Sequence, residues 1–217
     1  MALKIKNIPL FSDLNSKQID KLKQIAHIRS YSSGEVLFFE GETSDAFYII
    51  MSGEIQIKKL TETGKEKILE IMGSGEFFGE MGIIENKARS ATANITSDSK
   101  LLVLEKNDFL NYIETNMEVA LKMIAELSKR LRVADLDIKN LAFMNVETRL
   151  KKLLIRMAKK YNESLKKPVI PKRTHQELAS FIGTSRETVT RIINKMMQND
   201  LIEIKDNKIF LKKINNW

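Results

Sequence analysis

The sequence contains no cysteine and only two histidines, His27 and His175. Without cysteine the chain has no disulfide, no thiolate zinc site and no cysteine-ligated iron–sulfur cluster, which excludes a whole class of redox sensors. The sequence also lacks a nucleophile elbow, a P-loop and the histidine spacing of zinc proteases. It therefore predicts a protein that is not an enzyme and holds no catalytic metal ion.

Long apolar runs are missing too, so the sequence predicts no membrane-spanning helix. Residues Met1 to Pro9 lack the apolar stretch of a secretory signal, which favours a cytoplasmic location. The length of 217 residues and the hydrophobic content of 43% are typical of a globular protein with one large domain or two small ones.

The net charge of +8 is distributed unevenly along the chain. Residues 145–217 hold 17 Lys and Arg against 7 Asp and Glu, whereas residues 1–144 hold 19 against 21. This asymmetry indicates a polyanionic partner for the last third, with a basic solubilising tail as the other interpretation. Charge alone does not distinguish DNA from RNA or from an acidic membrane.

The first half of the sequence changes from a helical to a β-strand pattern. Residues Ser12 to Ile28 carry apolar side chains at helical spacing and predict a short amphipathic helix. Short β-rich runs then follow, and eight of the nine glycines lie between Gly34 and Gly82. The predicted strands are Val36–Phe39, Phe47–Met51, Glu54–Lys58, Lys67–Met72, Ala91–Ile95 and Leu101–Leu104. Many short strands at regular spacing predict a sandwich or a barrel.

A long helical pattern follows the strands. Residues Asp108 to Phe143 contain no glycine and no proline, and apolar residues recur at alternating steps of four and three. The stripe consists of Ile113, Met117, Ala120, Ile124, Leu127, Leu131, Ala134, Ile138 and Leu141. A helix packed on its own domain needs a wider apolar face than this. The pattern therefore favours a coiled-coil homodimer formed through residues 113–141.

Asn145 marks the predicted start of a last domain. Val146 to Tyr161 predicts a helix, and Lys166 to Lys172, with two of the three prolines, predicts a loop. Thr174 and Thr184 each precede a glutamate by three residues, which is the pattern of a capping box at a helix start.

Gly183 lies between these two short predicted helices, so the pair predicts a helix-turn-helix. Lys205-Asp206-Asn207-Lys208, between two β-rich runs, predicts a hairpin turn. Together these elements predict a winged helix over residues 145–217, after a dimerisation helix and hinge over 108–144 and a strand-rich domain over 1–107.

The second helix of this pair has two chemically different faces. Its predicted buried face consists of Val189, Ile192, Ile193 and Met196 or Met197. Its outward residues are Arg186, Glu187, Thr190, Arg191 and Asn194. Arginine can bond guanine O6 and N7 in the major groove, and glutamate can accept from cytosine N4. Surface charge for the arginines, and capping of its own helix for Glu187, are the other interpretations.

A second group of residues has the chemistry of a pocket for a phosphate and a sugar. Gly79 lets backbone amides approach a ligand, and Glu80 can accept a bond from a sugar hydroxyl. Arg89 supplies a charged fork for phosphate oxygens, and Ser90 adds a hydroxyl. An exposed strand arginine and a turn carboxylate are the competing interpretation of the same residues.

Several motifs together resemble the Crp/Fnr family of bacterial transcription regulators over nearly the whole chain. They are Gly64-Lys65-Glu66-x-Ile68-Leu69, Gly75-Glu76-Phe77-x-Gly79-Glu80, Asn140-Leu141-Ala142-Phe143 and Ser185-Arg186-Glu187-Thr188-Val189-x-Arg191-Ile192. The resemblance implies an α+β fold: an N-terminal β-roll of the cyclic-nucleotide-binding, double-stranded β-barrel type, a long dimerisation helix and a winged helix-turn-helix. It also implies a dimer on a two-fold-related DNA site with TGTGA-like half-sites, and RNA polymerase as a partner.

Specific residues take roles from this resemblance. It implies that Gly79 and Glu80 hold the ribose side of a cyclic nucleotide and that Arg89 and Ser90 hold its phosphate. Met81, Ala91 and Asp135 are further expected ligand-binding residues. The implied DNA contacts are Thr174, Thr184, Ser185, Arg186, Glu187, Thr190 and Arg191. A cyclic-nucleotide-binding module that regulates an enzyme or channel is the alternative function.

One departure from the family pattern concerns the base of the nucleotide. The adjacent threonine and serine that meet adenine in the cyclic AMP receptor correspond here to Ala134 and Asp135. Ala134 has no hydrogen-bonding group, whereas Asp135 could accept from guanine N1–H and N2–H, repel nucleotides, or simply flank the coiled coil in water. Cyclic AMP specificity is therefore in doubt, and cyclic GMP, another small ligand or no ligand remain open.

Overall fold

The computed structural model describes residues 5–61, 64, 66–161, 168–212 and 214. The chain divides into two compact units, Met1–Leu131 and Arg132–Trp217. No helix in the described part of the chain is long and apolar enough to span a membrane.

An antiparallel sheet of six strands forms the first unit. The strands are β1 (Ala26–Tyr31), β2 (Val36–Phe38), β3 (Ala46–Leu60), β4 (Glu66–Met72), β5 (Phe77–Phe78) and β6 (Thr92–Glu105). They pair in the order β1-β6-β3-β4, with β2 also on β6 and β5 also on β3. The predicted α+β fold is confirmed, but β1 and β4 are the two ends of this path. Over the residues described, the sheet is therefore not a closed barrel.

Two pairs of predicted strands are in fact single long strands. β3 contains both segments that were predicted on either side of Ser52 and Gly53. At these residues the pairing of β3 with β6 shifts in register, and the chain does not turn back. Gly53 has a φ of +100°, and a bulge with a positive φ keeps the strand in the sheet. β6 likewise joins the last two predicted strands. The predicted first helix is shorter than expected: α1 is Ser16–Ile25, and β1 starts at Ala26.

Strand β3 is buried on both faces, so it separates two apolar clusters. Phe47 and Ile49 belong to a core shared with the helices, whereas Tyr48 and Ile50 belong to a second core among the strands. This follows from the alternation of side chains along a strand. The second core also contains Phe38, whose ring lies beside the site described below.

The predicted long helix is two helices, α3 (Lys106–Glu114) and α4 (Met117–Phe143). Between them, Nδ2 of the buried Asn116 donates to the carbonyl oxygen of Tyr112, 2.7 Å away, and its Oδ1 accepts from Gln18. A side-chain amide that bonds the backbone in this way competes with helix continuation. The short α2 (Glu80–Ile84) lies between β5 and β6.

Helix α4 has one covered apolar face and one uncovered apolar face. Val119 and Met123 are buried in the first unit. The large exposed apolar residues of the helix are Met117, Leu121, Ile124, Leu131, Val133, Leu136, Ile138, Leu141 and Phe143. Five of them belong to the predicted stripe, whereas Ala120 and Leu127 of that stripe are half-buried. An apolar row of this length in water favours association with a partner.

The second unit has the predicted winged helix-turn-helix. Its helices are α5 (Val146–Tyr161), α6 (His175–Ile182) and α7 (Arg186–Gln198). Its sheet is β7-β9-β8, with β7 (Val169–Pro171), β8 (Ile202–Lys205) and β9 (Lys208–Leu211). Asp206 and Asn207 have φ values of +49° and +56°, as a two-residue type I′ hairpin turn requires. Strand β7 was missed because Pro168 and Pro171 indicated a loop, although Ile170 is fully buried.

Of the two predicted capping boxes, only the first is present. Thr174 Oγ1 accepts from the Glu177 amide at 3.1 Å, and Glu177 accepts from the Thr174 amide at 2.7 Å. The box predicted at Thr184 is wrong, because Ser185 caps α7 by accepting from the Thr188 amide at 3.2 Å. Gly183, with a φ of +65°, ends α6 and forms the turn at the predicted position, whereas α7 starts one residue later than predicted.

Candidate effector pocket and DNA interface

Arg89 is a buried arginine held on three sides. Its side chain is only 2% exposed. Nη1 donates to the carbonyl oxygen of Gly79 and Nη2 donates to Oδ1 of Asp45, both at 3.0 Å. Its guanidinium carbon lies 4.2 Å from the centre of the Phe38 ring, within the range of a cation–π contact. The competing prediction of an exposed strand arginine is therefore wrong.

Gly79 is required both by its backbone angles and by the space around it. Its φ of +84° lies in the left-handed region that favours glycine. A Cβ atom there would lie 2.8 Å from Nη1 of Arg89 and 3.1 Å from the carbonyl oxygen of Ala46. The absence of a side chain therefore allows the guanidinium to sit against this turn.

Glu80 is a buried carboxylate beside a cation of the long helix. It is 3% exposed, and Nη1 of Arg130 lies 3.7 Å from its Oε1. Burial raises the pKa of Glu80, and the charge of Arg130 opposes this with a smaller effect. Arg130 is fixed in turn by donating to the carbonyl oxygen of Phe77 at 2.8 Å and by lying over the Phe77 ring.

The other predicted pocket residues differ in how far they are exposed to solvent. Met81 and Ser90 are exposed, and the Ser90 hydroxyl donates to the Met81 sulfur at 3.6 Å. Ala91 is buried. Asp135 belongs to the other compact unit, and its side chain is exposed on α4. Its predicted contact with a nucleotide base stays a prediction.

The first unit also offers hydrogen-bonding groups that have no partner among the described residues. Nε of Arg89 and Oγ of Ser44 are both buried and unpaired. A buried donor without a partner costs roughly 1–3 kcal/mol, so an anionic ligand oxygen at Nε would relieve this cost. The glycine at position 79 keeps the guanidinium of Arg89 against this turn, since a Cβ there would lie 2.8 Å from its Nη1. This donor set fits a phosphate group.

Sequence reasoning missed Asp45 and Arg130, which bond to the two predicted pocket residues that carry charge. Both partners are distant in sequence from the residues they contact. No local pattern marks either residue, since an aspartate in a polar turn and an arginine on a charged helix are both ordinary.

Helix α7 has the two faces that the sequence predicts. Val189, Ile192, Ile193 and Met196 are buried, whereas Met197 is exposed. The opposite side forms an open groove lined by Arg186, Glu187, Thr190, Arg191, Asn194, Lys195 and Gln198. The arginine and glutamate side chains at the start of this helix are 65% and 77% exposed. They can therefore meet a partner without any rearrangement of the core.

Glu187 does not reach back to Thr184 as a capping residue would. It occupies the second position of α7, where bonds from its own amide and from the Ser185 hydroxyl lower the pKa of its carboxyl. Its nearest charged neighbour is Nε of Arg186, 3.9 Å away. Glu187 is therefore ionised and can accept a bond from a base amino group.

The remaining predicted DNA contacts serve the two short helices themselves. Thr174 and Ser185 cap α6 and α7, and Thr184 is half-buried in the turn between them. Thr190 donates its hydroxyl to the carbonyl oxygen of Arg186 at 2.9 Å. Lys195, which was not predicted as a site residue, donates to Glu147 of α5 at 2.8 Å.

No group of three or more histidine and carboxylate side chains within the described ranges could hold a metal ion. What the chain does combine is a buried arginine with an unpaired Nε and a helix with an exposed face that carries two arginines. This combination defines the class of effector-responsive, DNA-binding transcription regulators.

The comparisons with known proteins place the chain within this class. Residues 28–116 match the cyclic nucleotide-binding domain, and residues 148–216 match the Crp-like helix-turn-helix domain. The cyclic AMP receptor protein of Thermus thermophilus is 32% identical over 200 residues, which are 92% of this chain and 90% of that protein. The chain belongs to the Crp/Fnr family of transcription regulators, which bind DNA as dimers. The predictions of the family, the DNA-binding function and a non-enzymatic class are thereby confirmed.

Two further proteins show the range of the similarity. The regulator of Escherichia coli described as the cAMP-activated global transcriptional regulator CRP is 31% identical over 179 residues, covering 81% of this chain and 85% of that one. The solved structure of the c-di-GMP responsive global regulator CLP of Xanthomonas campestris has a TM-score of 0.75 and 25% identity, and covers 91% of this chain and 99% of that one. These two relatives are described with different nucleotide effectors.

Proposed function

We propose that this protein binds a palindromic DNA site with TGTGA-like half-sites as a homodimer, in response to a cyclic nucleotide. The observation that carries the DNA part is the outer face of α7. There Arg186, Glu187 and Arg191 are exposed together while the opposite face is buried. The two arginines would donate to guanine O6 and N7, and the glutamate would accept from cytosine N4. The two half-sites would lie about one helical turn apart.

The net charge of residues 145–217 supports binding to the phosphate backbone. These residues carry 17 basic against 7 acidic side chains. Basic side chains release condensed counterions when they neutralise phosphates, so affinity falls as salt rises. This contribution does not depend on sequence, and the three exposed side chains of α7 supply the discrimination between sequences.

The effector part of the proposal depends on Arg89, Glu80 and Gly79. The Arg89 guanidinium would bind the cyclic phosphate through its unpaired Nε, and Glu80 would accept from the ribose hydroxyl. Ser90, Met81 and Ala91 would line the same site. The choice between adenine and guanine would depend on Asp135, since Ala134 offers no hydrogen bond.

Regulation requires the effector to bind one arrangement of the dimer more tightly than another. We assign the dimer contact to residues 113–141, because α4 carries an exposed apolar row there. The hinge would lie at Asn145, between α4 and α5. A regulator of transcription acts on the access or the activity of RNA polymerase, so RNA polymerase is the proposed protein partner. Its DNA target would place it in the cytoplasm.

The test is fluorescence anisotropy with a labelled duplex that carries two TGTGA half-sites. Binding is measured with the full-length protein at fixed ionic strength, without effector and with cyclic AMP, cyclic GMP or cyclic di-GMP. A matched duplex with scrambled half-sites measures the non-specific affinity. We expect one nucleotide to raise the affinity for the palindrome by at least about 10-fold, within the usual range of allosteric coupling.

The outcomes separate the two parts of the proposal. Equal affinity for the palindromic and the scrambled duplex with every nucleotide would reject the assigned DNA site. Specific binding that no nucleotide changes would reject the effector and keep the DNA site. Sedimentation at the same concentrations checks that the species that binds is a dimer.

A further inference from the structure

A hydrogen bond between His175 and Thr190 joins the first turn of α6 to the recognition helix α7. Nδ1 of His175 lies 2.8 Å from Oγ1 of Thr190. The Thr190 hydroxyl also donates its single hydrogen to the carbonyl oxygen of Arg186 at 2.9 Å. Thr190 Oγ1 must therefore accept from His175, which assigns the imidazole proton to Nδ1. In the neutral ring, Nε2 is then the atom without a proton.

Nε2 of His175 is open to a new partner. Within the part of the chain that the structure describes, it has no hydrogen bond, and it is not sealed from solvent. The charged groups that act on the ring are Lys172, from the segment before α6, and Arg186, from α7. Burial lowers the pKa of His175 first, and these two cations lower it further. The ring is therefore neutral at neutral pH.

We propose that His175 is a positioning residue for DNA recognition, which holds Thr190 through Nδ1 and takes up a proton at Nε2 when a DNA phosphate approaches. The inference rests on the proposed DNA-binding function. His175 lies at the first position of α6, next to two cations, in the domain with the excess positive charge. A phosphate near Lys172 and Arg186 would reverse the electrostatic environment of the ring. The proton would come from solvent, and Nε2–H would donate to a phosphate oxygen.

This arrangement couples DNA affinity to pH. DNA raises the pKa of the imidazole above its depressed value in the free protein, so the bound state holds more protons between the two pKa values. Affinity therefore increases as pH falls through that window, by at most tenfold per pH unit for each protomer. Above the pKa of the bound state the ring is neutral throughout, and affinity no longer depends on this group.

The test measures the dissociation constant of the full-length protein for the TGTGA-like palindrome from pH 5.5 to 8.5 at constant ionic strength. His175→Asn keeps an amide donor near the place of Nδ1 but cannot titrate. His175→Ala removes both the donor and the titration. The matched control is His27→Asn, since His27 is the other histidine of the chain and is exposed on β1.

We expect the wild type and His27→Asn to share one pH dependence that both His175 variants lack. At pH 8.5, His175→Ala should bind the palindrome about 2- to 10-fold more weakly than the wild type, as the loss of one hydrogen bond predicts, and His175→Asn should recover part of this. Scrambled duplex should show a smaller change.

Three results would overturn the inference. A wild-type affinity that is independent of pH would reject the proton uptake, and so would a pH dependence that persists in His175→Asn. Equal affinities of His175→Asn and His175→Ala at pH 8.5 would reject the positioning role. Failure of the wild type to distinguish the palindrome from scrambled duplex at any pH would instead reject the DNA function on which the inference rests.

Discussion

The two functional regions of the molecule use arginine in opposite surroundings. Arg89 of the sensor is 2% exposed and is held by Gly79, Asp45 and the Phe38 ring. Arg186 of the recognition helix is 65% exposed, and its nearest carboxylate oxygen, on Glu187, lies 3.9 Å away. The fold therefore fixes the guanidinium of Arg89 before any ligand binds, whereas the guanidinium of Arg186 would become ordered only on DNA.

This difference has a physical consequence for selectivity. Ordering a free arginine side chain costs up to about 2 kcal/mol of rotamer entropy, and the fold has already met this cost for Arg89. A fixed donor suits a small ligand that makes few contacts. An exposed donor suits DNA, where many phosphate contacts bring the helix into place and each arginine only has to discriminate between bases.

The largest effect should follow the removal of the buried charge. Arg89→Gln should lower effector affinity by about 10- to 150-fold, since one charge-assisted bond contributes roughly 1.5–3 kcal/mol. Effector titration by calorimetry measures this loss, and urea unfolding checks the fold. The control is Arg29→Gln, which removes an exposed arginine of β1 in the same compact unit. A retained nucleotide response in Arg89→Gln would contradict the pocket.

Removal of the exposed arginines should act on sequence discrimination. Arg186→Ala and Arg191→Ala should each cost about 1–3 kcal/mol per half-site on the palindrome, and less on random duplex. Lys195→Ala is the matched control on the same helix, because Lys195 already bonds Glu147. Anisotropy on both duplexes gives the comparison. Equal losses on palindrome and random duplex would reject base reading.

The recognition helix was more predictable from sequence than the sensor pocket, because residues close together in the sequence determine its structure. Apolar steps of three and four residues identified its buried face, and an Asp-Asn pair identified the hairpin turn. In the sensor, Arg89 bonds Asp45 and Glu80 meets Arg130, and these pairs are separated by 44 and about 50 residues. Pairs this distant depend on how the strands and helices pack together, which sequence periodicity does not fix.

The errors in the predicted elements have local physical causes. Ser52 and Gly53 have the composition of a turn, but a bulge with the same residues keeps β3 continuous. The apolar stripe continues past Asn116, so it concealed the break that the Asn116 side chain makes between α3 and α4. The predicted boundary at residue 107 lies in the first turn of α3, whereas the break between α3 and α4 lies at residues 115–116. The divisions at 107 and 144 remain predictions about domain organisation.

A smaller effect isolates the contact between the turn and the buried arginine. Gly79→Ala should destabilise the protein by roughly 1–3 kcal/mol, because alanine disfavours its positive φ and the new Cβ would crowd Nη1 of Arg89. Gly34→Ala is the matched control, since Gly34 has a similar φ and no atom within 4 Å of its Cβ position. Urea unfolding of both variants therefore separates crowding from backbone strain. Equal losses of stability would show that Gly79 is needed for its φ alone.

The smallest expected effect concerns the buried carboxylate, and its sign depends on pH. Since burial raises the pKa of Glu80 above its ordinary value of 4.5, its contribution to stability is fully present below that pH and is lost as pH rises. Glu80→Gln removes this loss, so the variant should gain stability relative to the wild type between pH 4.5 and 7 while its nucleotide affinity falls. Thermal unfolding across this range measures the difference. If Glu80→Gln instead became less stable relative to the wild type as pH rises, the attraction of Arg130 for the Glu80 carboxylate would outweigh the cost of its burial. The ionised form of Glu80 would then stabilise the fold.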